Sequence, residues 1–218
     1  MLVLMADIFP TGYFAASRYL KNLSARDRKE FTVVCVGCGP VGICAITAAL
    51  TMVDKVYVVD SVPERLKEAE KIGAIPINLN DDPVSKIKAA SDGRGADVVM
   101  EVVGHADAFQ LAFEMIRPWG CISSIGVHTE MINMNGLLMY GKNVSMAFGR
   151  CPVRSIFEEA LELLVQEQKK VAFLCGKTMS LEEAPQAYKD FEQRKVTKVV
   201  FKMGNEGTGV NVAEKVGA

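Results

Sequence analysis

The sequence predicts an α/β protein: a doubly wound parallel sheet of about six strands, with remnants of a second domain. Three observations predict it. From residue 31 short β-branched runs alternate with helical patterns, as in strand, helix, strand units joined by crossovers. The runs lack a polar alternate, as in Val-Tyr-Val-Val at 56–59, which fits strands covered on both faces. No internal repeat interrupts the series, and 50% hydrophobic against 23% charged residues over 218 positions is the balance of an ordinary globular chain.

The first strand is expected from Phe31 to Val36, followed by a largely apolar helix from Pro40 to Met52. Lys55 to Asp60 is the second strand. Ser61-Val62-Pro63-Glu64 then opens a helix that ends at Gly73, with Ser61 as cap, Glu64 as the answering acid and Pro63 tolerated in the first turn. A short strand from Ile75 to Asn78 precedes a helix begun by Asp82-Pro83 and stopped by the glycines at 93 and 95. Ala96 to Val103 is the fourth strand. Ala106 to Ile116 is a helix closed by Pro118 and Gly120, and Cys121 to Val127 the fifth strand. Asn143 to Phe148 supplies the sixth, and Ile156 to Gln168 a helix. This series accounts for residues 28–175. It leaves an N-terminal piece and linker helix at 1–27, a segment at 176–203 with a capped stretch from Ser180 to Lys202, and a Gly-rich tail at 204–218 expected to be disordered.

Lys and Arg number 25 against 26 Asp and Glu, so no basic excess exists to hold nucleic-acid phosphates or an anionic membrane. The apolar start, Met1 to Met5, is interrupted by Asp7 and Pro10 and lacks the charged leader of a signal peptide. No apolar run reaches the roughly 20 residues of a membrane span. A soluble, cytoplasmic protein is expected, with neither nucleic acid nor membrane as partner. The six cysteines sit mostly in apolar contexts and are read as reduced thiols. Cys35 and Cys38 form a Cys-x-x-Cys pair that suits redox chemistry or half a zinc knuckle, but no second pair follows and Cys35 lies in a buried strand pattern. Core packing is the better reading.

Gly37-Cys38-Gly39-Pro40-Val41-Gly42 begins directly after the first strand and opens a helix, the context in which G-x-G-x-x-G holds a pyrophosphate. Gly37 permits the tight turn, Gly39 a close approach of backbone to phosphate, and Gly42 close packing of helix on strand. Free N–H groups at the helix start meet the negative oxygens, and Pro40 gives up only an N–H that no helix bond needs. Asp60 ends the second strand 23 residues after Gly37, where a carboxylate accepts from both ribose hydroxyls and repels a 2′-phosphate. The prediction is a Rossmann fold that binds NAD in preference to NADP.

The stretch Val33 to Gly42, then Val59-Asp60-Ser61-Val62-Pro63-Glu64-Arg65-Leu66, resembles the cofactor domain of zinc-dependent medium-chain alcohol dehydrogenases. Gly95-Ala96-Asp97-Val98-Val99, Glu101-Val102-Val103-Gly104 and Phe148-Gly149 continue the likeness, as does Leu181 to Tyr188 near the C-terminus. Met5 to Tyr13 resembles the segment before that domain in members similar to formaldehyde and secondary alcohol dehydrogenases. The resemblance implies that Asp60 and Arg65 frame the adenosine ribose and that Val103 and Gly104 lie along the cofactor. It further implies that Ile125 and Phe148 flank the nicotinamide, that Lys198 reaches the pyrophosphate, and that Asp7 is a ligand of catalytic zinc.

Catalytic zinc needs about three protein ligands and an open position. The resemblance places the other ligands in an N-terminal catalytic domain, within a Gly-His-Glu motif that this sequence does not contain; its two histidines are His105 and His128, each just after a strand. Segments 1–27 and 176–203 then read as parts of that domain, with apolar residues such as Ile8, Phe9, Tyr13 and Phe14 in need of another partner. Self-association is a natural solution, and the Met-rich connection from Met131 to Tyr140 is read either as a dimer contact or as a loop covering the sheet edge. Two functions remain open. One is the cofactor-binding part of an NAD-dependent zinc alcohol or aldehyde dehydrogenase, with zinc only if the missing ligands are supplied and a small alcohol or aldehyde as substrate of the intact enzyme. The other is a non-catalytic NAD-binding or dimerisation module.

Overall fold

Each β-branched run forms a strand of one parallel sheet in a computed structural model that describes residues 1–203: β1 (Val33–Val36), β2 (Val56–Asp60), β3 (Ile75–Asn78), β4 (Ala96–Glu101), β5 (Ile116–Ser124) and β6 (Ser145–Phe148). Their order is β3-β2-β1-β4-β5-β6, so the winding reverses between β1 and β4. At such a reversal the connections leave toward opposite faces, and a crevice opens beyond the carboxyl ends of the strands. Register aligns those ends: Ile77, Val59, Val36, Glu101, Ser124 and Phe148 pair successively in one row.

Helices cover both faces: α1 (Ile8–Leu20), α2 (Ala25–Glu30), α3 (Pro40–Ala49), α4 (Pro63–Lys71), α5 (Pro83–Ala89), α6 (Ala106–Met115), α7 (Gly136–Lys142) and α8 (Val153–Val171). Val34, Val99 and Ile122 of the sheet meet Phe109, Phe113 and Met115 of α6 in a continuous core. β1 and β4 are buried at every position: β1 is apolar throughout, and β4 adds two buried acids, Asp97 and Glu101, to its apolar residues. Asp82 caps α5 by accepting from the Ser85 N–H at 3.1 Å.

Several local expectations are corrected. Phe9 and Tyr13 do not wait for another partner: α1 lies on α3, and both side chains are buried. Gly12 makes this possible, because a Cβ there would stand 2.5 Å from the Ala45 backbone nitrogen. Ile8 and Phe14 remain partly exposed, Phe14 beneath the Arg18 guanidinium at 4.2 Å. Ser61 is not the cap of α4; Val62 occupies that position and its N–H is taken by Asp60. β4 ends at Glu101 rather than Val103, since the Glu101 carboxylate turns the chain by accepting from the Val103 and Gly104 N–H groups. β5 begins at Ile116 and ends at Ser124, shifted from the expected Cys121 to Val127. Pro118 lies in a bulge of this strand, where its missing donor is harmless, and Arg117 pins the bulge to Asp97 at 2.5 Å. Met131 to Tyr140 is not all loop, because Asn135 caps α7.

These elements make up one unit, Met1–Val171, and a second begins at Ala172. In the second, β7 (Thr178–Ser180) and β8 (Val200–Lys202) pair in parallel around α9 (Ala184–Glu192). The tail expected to be disordered, 204–218, lies outside the described residues. No helix among the described residues is long and apolar enough to cross a membrane.

Candidate cofactor site

The sheet row fixes where the site residues stand. Gly37, Asp60 and Ile125 occur at, or one step beyond, the carboxyl ends of β1, β2 and β5, with Phe148 ending β6 and Val103 and Gly104 just past β4. The carboxyl edge of the sheet therefore carries Gly37, Asp60, Val103, Gly104, Ile125 and Phe148, with Arg65 nearby on α4.

The glycine loop is shaped by close backbone approach. Gly37 has φ +98°, a conformation that suits glycine, and its N–H donates to the Val59 carbonyl at 2.8 Å. A Cβ at Gly42 would lie 2.1 Å from the Gly37 carbonyl oxygen, so helix α3 can start against the strand only without a side chain there. Gly39 differs. A Cβ on it would meet nothing within 4 Å, so its lack of a side chain is not explained by packing within the protein. Gly39 caps α3, Pro40 fills the first turn, and Val41 and Gly42 follow with the helix's leading amides. This open cradle at a helix start fits a pyrophosphate.

Asp60 is fastened to that cradle. Its Oδ2 accepts from the Cys38 N–H at 2.8 Å and its Oδ1 from the Val62 N–H at 2.9 Å, while Arg65 Nη1 stands 3.9 Å away. Each carboxylate oxygen accepts more than one hydrogen bond, so capacity remains for a ribose hydroxyl. Burial pushes the Cys38 thiol up, with the Asp60 carboxylate adding to it, and burial pushes the Cys35 thiol up with help from Glu101. Neither cysteine is primed as a thiolate, in keeping with a packing role for the pair.

Beyond β4 and β5 the two loops touch. A Cβ at Gly126 would lie 2.1 Å from the Gly104 nitrogen, and one at Gly104, where φ is +82°, would lie 2.5 Å from the Val127 nitrogen. Beneath them Glu101 is wholly buried. Its Oε1 accepts from Val103 and Gly104 N–H, each at 2.7 Å; its Oε2 accepts from Ser124 Oγ at 2.7 Å and lies 3.1 Å from His128 Nε2. Val103 and Phe148 remain about half exposed, and Ile125 is partly buried. Sequence reasoning gave Glu101 and Ser124 no role; the available signal was an acid closing an apolar strand, the same signal that singled out Asp60. His105 is a helix cap, accepting from the Asp107 N–H at 3.3 Å.

Asp7 is exposed at the start of α1, where its carboxylate accepts from the Thr11 hydroxyl at 3.1 Å. Among the described residues no three His, Cys, Asp or Glu side chains gather as a metal group, so the donor set present does not fit zinc. Lys198 belongs to the second unit, beside Tyr188 and Phe191 in a small hollow.

The zinc-binding dehydrogenase family model matches residues 40–166. A zinc-type alcohol dehydrogenase B of Aspergillus flavus is 47% identical over 207 residues, covering 93% of this chain and 48% of the relative. A medium chain reductase/dehydrogenase of Acremonium sp is 50% identical over 131 residues, covering 58% of this chain and 45% of the relative. The chain thus spans about half the length of the curated relatives it matches. Among solved structures, an alcohol dehydrogenase from Thermus sp. ATN1 superposes with a TM-score of 0.84 at 30% identity, covering 93% of this chain and 58% of that one. The six-stranded sheet is the Rossmann-type sheet of such dehydrogenases.

Proposed function

The chain belongs to the zinc-binding dehydrogenase family, and from that premise we propose that it binds NAD as the cofactor-binding part of an NAD-dependent alcohol or aldehyde dehydrogenase. The observation that carries the reading is the pairing of a glycine loop left open at Gly39 with an acid, Asp60, fastened to its rim. Gly37 to Gly42 hold the pyrophosphate on the leading amides of α3, while Asp60 and Arg65 receive the adenosine ribose and the Asp60 carboxylate disfavours a 2′-phosphate. Val103 and Gly104 line the cofactor's path. Ile125 and Phe148 offer apolar surface to the nicotinamide. Bound NAD supplies the hydride acceptor; the residues of this chain bind it, orient it and shield one side from water.

Asp7 is assigned as a zinc ligand in an assembly that brings the remaining donors. A small alcohol or aldehyde is the substrate of that assembly, in the cytoplasm. Self-association is assigned to the exposed Met131, Leu137 and Tyr140 beside the edge strand β6.

The second reading is an NAD-binding module without turnover, for which the glycine loop and Asp60 suffice. Metal analysis together with an assay of NAD reduction by simple primary and secondary alcohols separates the two. NAD binding without zinc or turnover by the 218-residue chain supports the module; stoichiometric zinc with alcohol-dependent NADH formation rules it out.

A further inference from the structure

We infer that His128 is a positioning residue which, through Glu101 and Ser124, locks the loop after β5 onto the loop after β4 and so sets the seat of the nicotinamide end of the cofactor. The inference rests on the NAD reading above and goes beyond it to residues that the glycine motif does not involve.

A carboxylate buried as completely as Glu101 loses its hydration and persists only where hydrogen bonds replace it. The bonds that replace it here are divided between two loops. Oε1 takes the Val103 and Gly104 amides of one, and Oε2 takes the hydroxyl of Ser124, the last residue of β5, and faces the His128 ring of the other. Moving either loop therefore strands part of one buried carboxylate, which couples the two. The glycine contact between residues 104 and 126 adds a steric limit from outside.

His128 is held by one end only. Nε2 lies 3.0 Å from Ser124 Oγ and 3.1 Å from Glu101 Oε2, whereas Nδ1 is buried and has no hydrogen-bond partner. With the proton on Nε2 both oxygens accept it, and Nδ1 keeps an unused lone pair. A side chain present for packing alone would be apolar at such a place, so the Nε2 bonds are the use of this imidazole. Its ring also meets Phe109 and Phe148 edge-on, at 5.8 and 6.0 Å between centroids. Phe148 and Val103, the two half-exposed apolar surfaces assigned to the cofactor, thus both lie one contact from the Glu101 and His128 pair.

ADP-ribose has the adenosine, pyrophosphate and both riboses of NADH but no nicotinamide, and so isolates the effect. Titrations of NADH and ADP-ribose into the wild-type chain and His128→Leu should show NADH binding weakened about tenfold, as for loss of a hydrogen bond to a charged group. ADP-ribose should be unchanged within about twofold, and the blue-shifted emission of bound NADH should be lost. His128→Gln, which restores a donor near the Nε2 position, should recover part of the difference. Ser124→Ala keeps the test open if His128→Leu does not fold, and should show the same selective loss. Equal weakening of both ligands, or no weakening of either, overturns the inference while leaving the NAD reading intact. If the wild-type chain binds neither ligand, the NAD reading fails and this inference fails with it.

Discussion

The Asp60 carboxylate lies 2.8 Å from the backbone nitrogen of Cys38, so the acid that closes β2 and the loop that follows β1 form one hydrogen-bonded unit. A ligand at the loop therefore meets a charge whose position is already fixed, at little ordering cost.

Asp60→Ala should weaken NADH binding by about tenfold or more and reduce discrimination against NADPH, because both the ribose acceptor and the tie to Cys38 are lost. Asp60→Asn, which keeps an acceptor, should retain more of the affinity but lose the repulsion of a 2′-phosphate. Parallel titrations with NADH and NADPH check this; unaltered selectivity in Asp60→Ala would remove Asp60 from the ribose site.

Gly39→Ala and Gly42→Ala should fail in different ways. At residue 42 the added methyl meets the Gly37 carbonyl at 2.1 Å, so thermal unfolding should reveal destabilisation of about 1–3 kcal/mol or more. At residue 39 the methyl meets nothing within 4 Å and φ is ordinary, so the melting temperature should hold while NADH affinity drops. Undiminished NADH binding by Gly39→Ala would mean that the open cradle is not where the pyrophosphate sits.

The strand pattern, the glycine loop and Asp60 were legible because each leaves a local mark: β-branched runs, a spacing of glycines, an acid at a strand end. The common row from Ile77 to Phe148 follows from pairing register, and parallel strands far apart in sequence do not announce their register. Pro118 misled for a related reason, since whether a proline ends a helix or sits in a bulge depends on a partner strand, here fixed by Arg117 and Asp97. Phe9 and Tyr13 looked unpartnered because their partner, α3, is itself apolar nearly all round and so shows no preferred face.

Cys35 and Cys38 should resist a thiol reagent at mildly alkaline pH in the folded protein and react fully after denaturation. Burial raises both thiols, and the nearby carboxylates of Glu101 and Asp60 add to it. Peptide mapping after labelling checks this; fast native labelling of either would revive a redox role for the pair.

Burial, with the Glu159 carboxylate that accepts a hydrogen bond from its hydroxyl at 2.7 Å, pushes the Tyr13 phenol from 10.0 up to about 12. Folding thus favours the neutral phenol. The stabilisation is complete below about pH 10 and disappears as pH rises through about 12. Burial raises the Tyr19 phenol as well, so phenolate absorbance should show late-ionising tyrosines among the five, and Tyr13→Phe should remove the latest step. An unchanged latest step in the variant would place Tyr13 in a wetter setting.

NAD held at the loop from Gly37 to Gly42 should be directly measurable. Calorimetric titration of the wild-type chain with NADH tests it most directly. Saturable binding of one NADH per chain is expected, with a dissociation constant below about 1 mM. The absence of heat or saturation at millimolar NADH from folded protein would contradict it.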